Sequence, residues 1–147
     1  MGNLGPAAEA AYLYEYARVT GYAGNYEEAE KAFLDVLALI LKSNGEADRF
    51  SAPTLSEYSR MLHDTDQHKK AVPIYEQAVV ALDRFKVEST DPIGYAELLD
   101  EFADTLRKAG LWERASAITA RSAELKAAHP NEPPHFQPMR YKTTKPD

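Results

Sequence analysis

A chain of 147 residues is long enough for one domain that buries roughly 70% of its unfolded surface, with no metal or cross-link required. It contains no cysteine, which excludes disulfide scaffolds, thiolate zinc sites and thiol catalysis. Seventeen lysines and arginines against 23 aspartates and glutamates leave a net charge of -6, so the molecule has no long-range attraction for phosphate backbones or anionic lipid, and nucleic acid is not expected as a partner.

Pro6 followed by Ala7, Ala8, Glu9, Ala10 and Ala11 opens a first helix, because proline suits the first helical turn and alanine is the best helix former. It should end between Gly21 and Gly24. Asn25 stands where it can cap a second helix, with Glu27 and Glu28 in the first turn and Lys42 near the end, both favourable for the helix dipole. Residues 44–51 read as a polar loop, after which Ser51 caps a third helix with Pro53 in its first turn, continuing to His63. Asp66 starts a fourth helix that carries Val72, Tyr75, Ala78, Val79 and Leu82 on one face. Pro73 lies inside it and predicts a bend over 69–73.

After a loop at 87–91, Asp91-Pro92 is a cap and first-turn pair for a fifth helix running to Ala109. Gly110 separates it from a sixth, Leu111 to Ala128, which His129-Pro130 stops. The segment 130–147 cannot continue a helix and reads as a proline-rich extended tail. Six antiparallel helices and no strand pattern make the class all-α. The longest apolar run, Phe33 to Leu41, is interrupted by Asp35 and is shorter than the roughly 18 residues of a membrane span, so no membrane insertion is expected. The opening residues lack the basic and apolar regions of a signal peptide, and the expectation is a soluble, cytoplasmic protein.

Across these helices one pattern occurs three times, centred on Ala29, Ala71 and Ala115. Sixteen residues before each stands a leucine (Leu13, Leu55, Leu99), and thirteen before each an aromatic (Tyr16, Tyr58, Phe102) followed by a small residue (Ala17, Ser59, Ala103). Four residues after the alanine comes Phe33 in the first copy and Tyr75 in the second, but Thr119 in the third. Small residues belong where two helices approach too closely for a bulky side chain, and large ones fill the holes between. The spacing resembles that of tetratricopeptide repeat proteins. The copies are 42 and 44 residues apart rather than the usual 34, similar to the lengthened repeats of kinesin light chains and many bacterial members.

The resemblance implies three helical hairpins, over about 10–43, 52–85 and 96–129, stacked as a right-handed α-solenoid over residues 1–129. It also implies a non-catalytic module that binds a protein or peptide along the first helix of each hairpin. Transferred by register, the groove-facing positions include Tyr14, Arg18 and Tyr22 on the first of these helices, Glu57, Arg60, His63 and Asp64 on the second, and Asp100, Glu101, Asp104 and Arg107 on the third. Some members grip a terminal carboxylate with a clamp of lysines, asparagines and an arginine. Here Tyr14, Arg18 and Glu57 stand in its place and the third helix presents acids, so a basic or mixed-charge extended peptide or partner helix is expected instead.

Repeat arrays usually finish with a polar capping helix, and none follows Ala128. The sequence leaves three outcomes open: Phe136, Met139 and Tyr141 fold back over the sixth helix, that end meets a second copy as a homodimer, or the tail stays loose. The alternative function is therefore a structural or self-assembling module acting through that end, and a more remote one is a regulatory domain excised from a larger enzyme or receptor. His63, Asp64, Asp66 and His68 form the one cluster with metal-ligand chemistry, but they straddle a turn, and no metal or other cofactor is expected. The glycines sit singly at turns and no serine lies in a nucleophile elbow, so enzymatic activity is not expected.

Overall fold

The computed structural model describes residues 5–135 and 138–141, and within them the chain is all-α, with no strand. Its elements are α1 (Pro6–Tyr22), α2 (Tyr26–Lys42), a 3-10 turn (Asp48–Phe50), α3 (Ser51–Asp64), α4 (His68–Arg84), the one-turn helix α5 (Val87–Thr90), α6 (Pro92–Lys108) and α7 (Trp112–Ala128). Helices α1 and α2, α3 and α4, and α6 and α7 pair as hairpins, and successive hairpins stack chiefly through α2 on α3 and α4 on α6. Gly24 and Gly110 make the turns of the first and third hairpins at φ 94° and 82°, left-handed values that cost glycine little.

Several boundaries differ from the sequence reading. Asp66 does not begin α4: it is left-handed at φ 61°, Gln67 takes the cap position and the helix starts at His68. Ser51 does not cap α3. It lies inside the helix, entered from the 3-10 turn, and its hydroxyl donates instead to Asp48 Oδ1 at 3.2 Å. The loop at 87–91 contains α5, entered through a left-handed Lys86 at φ 56°, so the described chain has seven helices rather than six. Asp91 caps α6 by accepting from the Gly94 N–H at 3.1 Å, and α4 remains helical across Pro73.

The three pattern alanines are each 1% exposed or less, as their crowded positions require. The aromatics explain how one hairpin recognises the next. Phe33 of the first stacks on Tyr58 of the second with ring centroids 5.6 Å apart, and Tyr75 of the second stacks on Phe102 of the third at 5.2 Å. Each junction thus joins the aromatic four residues after the alanine to the aromatic of the following first helix. Tyr16 has no preceding hairpin among the described residues and is 38% exposed; Thr119 has no following one and is exposed too. The missing aromatic of the third copy therefore falls where nothing stacks.

Part of the added length is packed rather than loose. Ala47 is buried with Ala10 and Val36 in a small second core flanked by Leu13, Leu39, Ile40 and Phe50, and the Ser43 hydroxyl receives the Ala47 N–H at 3.1 Å. The tail is held as well. Tyr141 is fully buried, and it packs between α1 and α3 rather than on α7; Met139 lies against the same main core, while Phe136 lies outside the described residues. The outward residues of α7 are mostly small or charged, with Trp112 the large exception at 63% exposure.

Candidate peptide-binding groove

The first helices of the hairpins, α1, α3 and α6, supply one face, and the middle of it is a cluster of paired charges. Arg60 and Glu57, one helical turn apart on α3, are both buried and joined at 2.8 Å. The other side of the guanidinium reaches across to α6, where Arg60 Nε lies 3.0 Å from Glu101 Oε1. The Tyr75 hydroxyl donates to the same carboxylate at 3.4 Å. Burying these ions is costly unless they are paired and their remaining lone pairs filled.

The second bridge between α3 and α6 is His63. Its Nδ1 lies 3.0 Å from Asp64 Oδ1 and its Nε2 2.9 Å from Asp104 Oδ2. Asp64, chiefly, and then Asp104 raise the imidazole above its usual value against the opposing effect of burial. For Asp64 burial acts upward, yet His63, the Tyr141 N–H and Arg140 together hold it below the ordinary carboxylate range. Asp104 also accepts from Lys108, 3.2 Å away.

The tail closes this face. Pro138 lies beside Arg60, Gly94 and Leu98, bordering a cavity of about 30 Å³. Arg140 bridges two hairpins, pairing with Asp64 of α3 and, at 3.1 Å, with Glu101 of α6. Tyr141 is read at every polar atom: its N–H donates to Asp64 Oδ2 at 2.8 Å, its hydroxyl to Glu57 Oε1 at 2.8 Å, and its carbonyl accepts from the Tyr26 hydroxyl at 2.7 Å. Burial drives the Tyr141 phenol far above its ordinary value, so it stays a protonated donor. The ring rests on Gly21, where a Cβ would come within 2.9 Å of it, with Met61 Sδ alongside at 3.2 Å from the same point.

Of the positions transferred by register, Glu57, Arg60, Asp64 and Glu101 meet in one cluster, and Asp104 joins through His63. Tyr14 and Arg18 sit at its edge, the guanidinium 5.4 Å from the ring centroid, with Arg18 also paired to Glu15 at 2.7 Å. The other three point mainly elsewhere, Arg107 keeping a 4.0 Å approach to Asp104. Asp100 pairs with Lys126 of α7 at 2.5 Å, Arg107 bonds the Thr119 hydroxyl of α7 at 3.4 Å, and Tyr22 is 64% exposed outside the network. A helix face spans about 100°, so positions one residue to either side of its centre are drawn to the neighbouring helix. Sequence reasoning missed Arg140, Tyr26 and Gly21; Gly21 lies one residue from the end of α1 and its carbonyl accepts from the Gly24 N–H of the hairpin turn, so in the sequence it reads as turn chemistry and not as a bare surface for a ring.

The cluster of His63, Asp64, Asp66 and His68 is engaged in other ways. His63 binds Asp64 and Asp104 as above, and the His68 ring meets the His63 ring edge-on at 5.7 Å. Among the described residues no group of three histidines and carboxylates is arranged to hold a metal, and no helix is long and apolar enough to cross a membrane.

Stacked helical hairpins with a polar groove along their first helices define a helical-repeat interaction protein. The family model of the tetratricopeptide repeat matches residues 8–80, and the chain belongs to that family. No curated protein matches the chain significantly.

Proposed function

We propose that this chain is a non-catalytic protein–protein interaction module that takes an extended, arginine- or lysine-bearing segment of a partner on the face of α1, α3 and α6. The observation that carries this reading is the convergence of Asp64 and Glu101, from two different hairpins, on a single guanidinium. Glu57, Asp64, Glu101 and Asp104 face Arg60, His63 when protonated and, on the Asp104 side, Lys108 and Arg107, so the Asp64–Glu101 side of the cluster favours an incoming cation and repels an incoming carboxylate. The net charge of -6 acts in the same sense against nucleic acid. Assembly through the end of the stack draws on less, since α7 turns few large apolar groups outward. The test is fluorescence anisotropy of extended peptides that differ only in carrying arginine or glutamate. The arginine peptide should bind the full chain more tightly, and Asp64→Asn combined with Glu101→Gln should weaken it about tenfold or more. Preference for the glutamate peptide would overturn the reading.

A further inference from the structure

We propose that the segment Pro138–Tyr141 is a resident ligand of this groove, and that the partner segment which takes its place carries an arginine followed directly by a tyrosine. The inference rests on the functional reading above and adds the recognition chemistry and the state of the free protein. The tail does not lie along the helix it leaves. It crosses to the far hairpins, where Arg140 and Tyr141 make contact with α1, α2, α3 and α6 at once. Beyond those two residues, one other hydrogen bond joins the described tail to the helices, from the His135 N–H to Asp91 Oδ1 at 3.1 Å.

What holds the tail is what any Arg-Tyr segment offers. Asp64 and Tyr26 read the backbone N–H and C=O of the tyrosine, as they would in any extended chain. Glu57 and the bare Gly21 surface select the phenol ring, and the Asp64–Glu101 pair selects the guanidinium. Leaving the groove empty would strand those carboxylates and the Tyr26 hydroxyl, so exchange for a matching segment is favoured over simple release. Arg140 is half exposed, which gives water and a competitor access at the edge of the contact. Pro130, Pro133 and Pro134 keep the connecting segment out of a helix, so the occupant is presented extended and tethered. A tethered occupant weakens every incoming ligand by the fraction of time the groove is closed.

The experiment uses a labelled peptide with the sequence of residues 134–144 and the full chain as wild type, Arg140→Glu and Tyr141→Ala. Circular dichroism establishes that each is folded; Arg140→Glu alters a half-exposed side chain and serves if Tyr141→Ala unfolds. The peptide should bind the folded variants at least about tenfold more tightly than wild type, as expected for a groove closed nine-tenths of the time. Peptides with glutamate for the arginine, or alanine for the tyrosine, should lose that binding. Equal affinity for wild type and variants overturns the resident tail, and retained binding of the alanine peptide overturns the Arg-Tyr requirement. If unrelated arginine peptides bind all forms alike, the functional reading stands and this one falls. If no peptide binds any folded form, both fall.

Discussion

Gly21 shows how a single missing methyl can be tied to a distant segment. A glycine within a helix costs about 1 kcal/mol relative to alanine. Here the position is occupied from outside by the Tyr141 ring, and a Cβ would stand 2.9 Å from its Cε1 and 3.2 Å from Met61 Sδ. An aromatic ring wedged between two helices cannot swing away cheaply. Gly21→Ala should therefore destabilise the wild-type chain by about 1–3 kcal/mol through overpacking. In a Tyr141→Ala background the same change should be neutral or stabilising, because the flexible Met61 side chain can move into the vacated space and the gain in helix propensity remains. Urea denaturation of the four proteins measures this as a double-mutant cycle, and additivity would show that the ring is not what Gly21 accommodates.

At the scale of elements, the aromatic pairs set the order of the hairpins. Phe102 is 3% exposed and stacked on Tyr75, whereas Tyr16, its counterpart in the first copy, is 38% exposed and bonded at its hydroxyl to Glu28. The pattern is the same and the surroundings differ, so the energies must differ. Phe102→Ala should cost about 3–5 kcal/mol, the range for truncating a buried aromatic, and Tyr16→Ala below about 1 kcal/mol. Thermal or urea unfolding monitored by circular dichroism compares the two, and equal losses would contradict the end position of Tyr16. The same logic covers the α7 junction, where Thr119 is free to be polar and small.

The molecule as a whole is pinned across its hairpins by a network whose protonation spans two pH ranges. His63 joins α3 to α6, with His68 of α4 and Glu101 of α6 nearby and Arg140 of the tail on the shared Asp64. Its folded value is raised above 6.5, principally by Asp64. The stability it contributes is thus complete below about 6.5 and is lost as pH rises through the folded value. Asp64 and Asp104 are held below 3.8 despite burial, so their contribution is present above that value and lost as pH falls. Stability should be greatest between these limits. Urea midpoints across pH should decline from about 6.5 upward, and His63→Gln should flatten that decline while the acid limb carried by Asp64 persists. An unchanged alkaline limb in the variant would assign it to another group.

Much of this architecture was legible from spacing alone. Alanines at crowded contacts, aromatics at junctions, the Asp91-Pro92 start and glycine turns each act locally or at a fixed helical offset, and such rules survive without knowledge of the neighbours. They yielded the hairpins and the stacking, and they placed Glu57, Arg60, His63 and Asp64 on α3 and Glu101 and Asp104 on α6, the residues that pair across those two helices. Asp100 and Arg107 engage side-chain partners on α7, which helical spacing alone does not reveal, and Tyr22 stays exposed. Least legible was the destination of the tail. Proline content says that a segment is not helical; where it lies depends on a cavity beside Gly21, on carboxylates from two hairpins and on a tyrosine from a third, which only folding brings within 3.1 Å of Arg140 and Tyr141. The sequence by itself determined a tetratricopeptide stack with an acidic face, because those are properties of periodic, short-range packing. Tertiary structure alone decided that the chain's own Arg140 and Tyr141 fill that face, because their stabilisation comes from contacts between residues far apart in the sequence, from Glu101 back to Tyr26.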